Sequence, residues 1–256
     1  MLERISEMLK AVDGASPHFP PTVLYNENWM LRLVLDSLVR SPHEAGPVAV
    51  LPDVEWYSEA LLPSAFLSRF RGDPHGESYT HADGVIGHFS IGGNGKGDLV
   101  LAEDARQFSV IEGKMFSGLS KGVKNAGFFD QAARNVACIA RVLEGAERRP
   151  SEVPELSFHV VAPRAQIEKG VFGDLVTKES IRWKVERRVE VYEGEKDSWF
   201  EQWFIPTLDE ISLGVISWEE IVAHLAQVLP EDGRRLAAFY ERTVHFNSSP
   251  PPTVRW

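Results

Sequence analysis

Three charged side chains stand inside apolar runs where a buried strand would not tolerate them alone. Asp98 lies in GDLVLA (97–102), and Glu112 and Lys114 lie in QFSVIEGKM (107–115). Buried carboxylates and ammonium groups need a partner or a metal, because taking an isolated charge out of water is costly. Side chains two apart on a strand share a face, so Glu112 and Lys114 point the same way. With EDAR (103–106) as a turn, the two runs read as a hairpin that brings Asp98 near Glu112 or Lys114. Two converging carboxylates repel unless a divalent cation or Lys114 sits between them. An oxygen-only set suits magnesium or manganese, with the carbonyl of Gly113 as a further ligand. Lys114 beside such a cation would orient or deprotonate an attacking water, or stabilise charge growing on a phosphate.

Taken singly, each residue has an ordinary reading. Asp98 would cap a turn, and Glu112 and Lys114 would be exposed charges on an edge strand. Together, on adjacent strands flanked by Val, Leu and Ile, they point to a site. Asp83, at the head of an earlier strand, is a rival first acid but stands one strand further back. His81 and His88 flank that strand without metal-like spacing.

The elements that must position these residues follow from punctuation and periodicity. NENWMLRLVLDSLV (26–39) has helical spacing with Asn26 as N-cap. On that helix Glu27 shares a face with Leu31, Val34 and Leu38, which aims a carboxylate at the core side. Residues 41–82 resist assignment. DGVIGHFSI (83–91) reads as a strand and GGNGKG (92–97) as a turn, which lacks the spacing of a phosphate-binding P-loop. FFDQAARNVACIARVLEGA (128–146) is a long Ala-rich helix with Gln131 and Asn135 on one polar face, and ELSFHVVAP (155–163) is a further strand. Beyond residue 163 the pattern is mostly helical, with ISLGVI (211–216) a short strand and Ser217 a cap for SWEEIVAHLAQVL. Lys96, Lys121 and Lys124, in loops around these elements, suit phosphate contacts.

At 256 residues and 43% hydrophobic composition, the chain can bury one good-sized core. No run is apolar for long enough to cross a bilayer, and the charged, amphipathic MLERISEMLKA is no secretory signal. A cytoplasmic protein with no membrane partner is the expectation. The single cysteine, Cys138, excludes an internal disulfide framework and a Cys-rich metal site. The net charge of −10 argues against a broad nucleic-acid-coating surface and leaves room for a narrow basic cleft, a partner protein or a homodimer.

Asp98, followed by Glu112-Gly113-Lys114 on the next strand, resembles the PD-(D/E)XK nuclease superfamily, the restriction-endonuclease-like fold. The element order α-β-β-β-α-β over 26–163 is similar to that family's core, and Gly97 stands where the family has Pro. The resemblance implies an α/β fold with a mixed central sheet, and one domain over 1–256 with a helical elaboration after residue 163. It implies a Mg²⁺-dependent (or Mn²⁺-dependent) nuclease acting on DNA, with Asp98 and Glu112 on the metal and Lys114 catalytic. In the family a Glu on the first helix often completes the metal site, which carries over to Glu27. An exonuclease branch places a Gln early in the helix after the Lys-bearing strand, which carries over to Gln131; the Tyr that follows it there is Asn135 here. The alternative is a catalytically inactive nuclease-fold module for nucleic-acid binding or assembly.

Overall fold

A computed structural model describes residues 1–14, 17–92, 97–122 and 126–248. The chain is mixed α/β. Helix α1 (Leu2–Lys10) precedes α2 (Glu27–Val39), which is capped by the Asn26 side chain accepting from the Trp29 N–H. Five strands follow: β1 (Glu55–Leu62), β2 (Thr80–Gly87), β3 (Phe89–Ile91), β4 (Leu99–Leu101) and β5 (Gln107–Gly113). Then come α3 (Gln131–Gly145), β6 (Glu155–Ala162), α4 (Arg164–Glu168), α5 (Lys178–Glu190), α6 (Asp197–Trp199) and α7 (Ile205–Glu210). Strand β7 (Ser212–Ser217) leads into α8 (Trp218–Val228) and α9 (Pro230–Asn247). Among the described residues no helix is long and apolar enough to cross a membrane.

The main sheet has the order β1-β2-β5-β6-β7. Strand β2 runs antiparallel to both of its neighbours, β1 and β5, whereas β5, β6 and β7 are parallel. All seven residues of β5 are buried, as a central strand covered on both faces requires. Alternation along the strands divides the core in two. Val85, Phe108, Val110 and Phe158 pack with α3 and α5 on one face. Ile86, Ile111 and Val161 pack with α2, α8 and α9 on the other. Gly84 lets α2 lie close on β2, since a Cβ there would come within 2.7 Å of Leu35 Cδ1.

Two expectations change here. The runs around Asp98 and Glu112 do not form a hairpin: β4 pairs with β3 in a separate two-stranded sheet, while β5 pairs with β2 and β6. The strand expected over 83–91 is two strands, β2 and β3, broken at His88, whose ring nitrogen instead faces the Arg106 and Gln107 N–H groups. The short strand expected within the helical elaboration after residue 163 is β7 and joins the main sheet, and both halves of the core include side chains of this region, from Phe172 to Val244.

Candidate active site

Lys114 and its neighbours cluster at the end of β5 where β2, α2 and α3 also finish or begin. Residues 84 and 111 are partners in the β2/β5 ladder, so continuing that register by one sets Asp83 across from Glu112. By strand alternation both side chains share the face of Val85 and Val110, which α3 covers. Glu112 is fully buried. Its Oε1 accepts from Lys114 Nζ at 2.5 Å and from Gln131 Nε2 at 2.5 Å, and its Oε2 accepts from Asn135 Nδ2 at 3.1 Å. Helix α3 thus delivers two amides, one turn apart, onto a single carboxylate.

Asp83 Oδ2 accepts the Gly113 N–H at 3.1 Å and stands 3.9 Å from Lys114 Nζ. From the other face of the sheet, Glu27 in the first turn of α2 accepts the Met115 N–H at 2.9 Å. The Lys114 carbonyl accepts from the indole N–H of the fully buried Trp218, at 2.9 Å, which fixes the backbone under the ammonium. Gln131 is fixed in turn: its Oε1 accepts the Ser120 N–H and its own N–H donates to the Ser120 carbonyl.

The electrostatics follow from this crowding. Burial, and then the adjacent Glu112 carboxylate, push the Asp83 carboxyl up to about 8, against the pull of Lys114 and the Gly113 N–H. Burial also lifts Glu27 above the ordinary carboxylate range, with Lys114 and the Met115 N–H opposing. Burial alone would depress Lys114, but the Glu112, Asp83 and Glu27 carboxylates more than offset it and hold the ammonium above its usual value. Lys114 is therefore a retained cation among three acids, and Asp83 is the acid that holds a proton at neutral pH in the metal-free site.

Asp98 is not among these residues. It bridges to Leu61 on the outer side of β1, and Leu61 pairs with His81 of β2. Three strand spacings, up to about 14 Å at ~4.8 Å each, separate it from the Lys114 position. The β3–β4 hairpin is inserted between β2 and β5, so the acid nearest in sequence is carried to the far edge and the strand partner, Asp83, takes its place. Glu27, Glu112, Gly113, Lys114 and Gln131 are brought together. Lys121 is exposed, one residue beyond the Ser120 that Gln131 clasps. Lys96 and Lys124 lie outside the described residues. Trp218 escapes notice in the sequence, where its only signal is a position just inside the Ser217–Glu220 capping box.

Beside α3, an aromatic and cationic group faces solvent. Phe128 and Trp183 meet edge to face at 6.0 Å, and the Arg187 guanidinium lies over both, 5.6 Å and 5.2 Å from the ring centres. Trp183 is 48% exposed. Phe128 is two residues before Asp130, which caps α3 and binds the buried Lys184 of α5 at 2.7 Å.

No family model, no curated protein and no solved structure matches the chain. Among the described residues no three His, Cys, Asp or Glu side chains are grouped as metal ligands. The donor set at the sheet end is instead two facing carboxylates, Asp83 and Glu112. That is what magnesium takes, since it binds through one or two carboxylates and keeps several waters.

Proposed function

We propose that the protein is a metal-dependent nuclease that hydrolyses DNA phosphodiester bonds by water attack. The observation that carries this reading is the meeting of Asp83, Glu112 and Lys114 at one end of β2 and β5, with Gln131 and Asn135 fixing the central carboxylate. The order α2-β1-β2-β5-α3-β6, with β3–β4 as an insertion, supports a restriction-endonuclease-like core around that site.

Asp83 and Glu112 would hold the cation, with the Gly113 carbonyl and Glu27 as further oxygen donors. Magnesium or manganese bound there supplies Lewis acidity to the phosphate and makes water a stronger nucleophile at neutral pH. Lys114, kept protonated by its three acids, is suited to neutralising charge that grows on the phosphate rather than to taking a proton from water. Gln131 and Asn135 hold Glu112 in one rotamer, which spares the site reorganisation as charge moves. Phe128, Trp183 and Arg187 offer stacking surface for bases of an unpaired strand, which every base can use through its π-face.

The test is incubation of the purified protein with supercoiled plasmid and with single-stranded DNA, in Mg²⁺, Mn²⁺ or chelator. Cleavage in either cation, absent in chelator and absent in Lys114→Ala, is the expected result. No cleavage of either DNA in both cations would overturn the reading.

A further inference from the structure

A second group of metal-competent side chains lies away from the carboxylates, where the segment following α2 meets α8. His43 and His224 stack with ring centres 4.3 Å apart and planes tilted by 41°. The Nδ1 of His43 lies 2.5 Å from the Ser41 carbonyl. A carbonyl only accepts, so Nδ1 carries the hydrogen and Nε2 is left as the lone-pair nitrogen. A backbone carbonyl on the far nitrogen is the support that metal-bound histidines use to fix tautomer and ring orientation. The Nε2 atoms of both rings are buried and have no hydrogen-bond partner among the described residues. Unsatisfied buried nitrogens are costly, so two on neighbouring rings call for something that satisfies both.

The surroundings fit a cation. Residue 46 is glycine, and a Cβ there would lie 2.7 Å from His43 Cδ2, 2.9 Å from His43 Nε2 and 3.1 Å from His224 Cε1, so the Nε2 edge of His43 and the Cε1 of His224 border one small space. Bonds of ~2 Å from metal to nitrogen put two imidazoles sharing one cation roughly 5 Å apart, centre to centre, close to the spacing seen. A cavity of about 360 Å³ opens beside His224, lined also by Arg164 and by Glu220, whose Oε2 accepts from Ser217. The His43 segment is held in register by reciprocal backbone hydrogen bonds between His43 and Val50, and by Gln107, whose amide grips Ala49 and Leu51.

We propose that His43 and His224 form a two-imidazole site for a borderline first-row divalent cation, zinc foremost, which clasps the segment after α2 to α8. Nitrogen donors favour zinc, copper or nickel, whereas the carboxylates at the sheet end favour magnesium. The site therefore differs from the candidate active site in the metal that it selects, and it does not depend on the nuclease reading.

The test is titration of the unsubstituted protein with zinc chloride by calorimetry, in the presence of excess magnesium, with cobalt chloride as a spectroscopic probe. One saturable zinc equivalent is expected, with a rise in Tm. Affinity should fall by about tenfold or more in His43→Ala and in His224→Ala, and also in Gly46→Ala, which keeps both ligands but fills the space between them. Cobalt should give a visible absorption band that disappears as the pH is lowered through the imidazole range. Absence of saturable zinc binding, or affinity unchanged from the unsubstituted protein in all three variants, would overturn the proposal. Should a histidine variant fail to fold, the cobalt band of the unsubstituted rings and its loss in Gly46→Ala decide the matter.

Discussion

At the scale of single residues, the site turns on which acid faces Glu112. Asp83 holds a proton in the folded chain up to about pH 8, whereas an unfolded aspartate loses it near 4. Between those values the folded state binds more protons than the unfolded one, so stability in chelator should fall as pH rises from about 4 to about 8. Asp83→Asn should remove that dependence and be more stable than the natural sequence at pH 9, which urea unfolding at several pH values would measure. A slope unchanged by the substitution would contradict the pairing. Lys114→Ala should behave oppositely, because it strips the cation from the fully buried Glu112 and leaves two amides to satisfy it. A loss of roughly 3–5 kcal/mol is expected on unfolding, the usual cost of breaking a buried pair on one side. The pair Glu112 and Lys114 is legible in the sequence because two charges at strand spacing inside an apolar run have no comfortable alternative. The partner acid is not legible, because Asp98 is near in the chain and only the ladder reveals that Asp83 is near in space.

At the scale of elements, α3 does the positioning. Its first turn is fixed by the Asp130 cap, the Ser120 clasp and the buried Lys184 of α5, and its next turn carries Asn135. Lys184→Met should cost about 3 kcal/mol or more, since Asp130 is left buried without its cation. It should also lower cleavage through misplacement of Gln131, a joint effect that thermal melts and rate measurements on one preparation would expose. On the exposed side of the same junction, Trp183→Ala should weaken binding of single-stranded DNA by about 1–3 kcal/mol, the worth of one stacked base. Fluorescence anisotropy with a labelled oligonucleotide reads this directly, and unchanged affinity would remove the aromatic group from the interface. Helices α2 and α3 are legible because an N-cap and 3.6-residue periodicity are local signals. Strand β1 is not: EWYSEALL lies at the sheet edge, is mostly half-buried and lacks clean alternation, and Glu59 within it adopts a left-handed φ of 60°.

At the scale of the whole molecule, the part after residue 163 completes the sheet and both halves of the core. Strand β7 covers the outer edge of β6, and Trp218 at the head of α8 donates to the Lys114 carbonyl. A fragment ending at residue 163 should therefore fail to show a cooperative melt, as would a fragment starting at 164. A fragment that folds alone would contradict this account of the core. The helical run of this region is legible from its periodicity. The part played by Trp218 is not, because contacts across a hundred residues leave no local trace.

The measurement that bears most directly on the proposed nuclease is cleavage of one DNA substrate, in magnesium and in manganese, by Asp83→Asn and Asp98→Asn side by side. Asp83 faces Glu112 and Lys114, whereas Asp98 lies beyond β1. An amide is a far poorer ligand than a carboxylate for a hard cation. The account predicts cleavage by the natural sequence, at least a hundredfold loss in Asp83→Asn (about 3 kcal/mol of transition-state stabilisation), and near-natural rates in Asp98→Asn. Full activity in Asp83→Asn, or loss confined to Asp98→Asn, would contradict it.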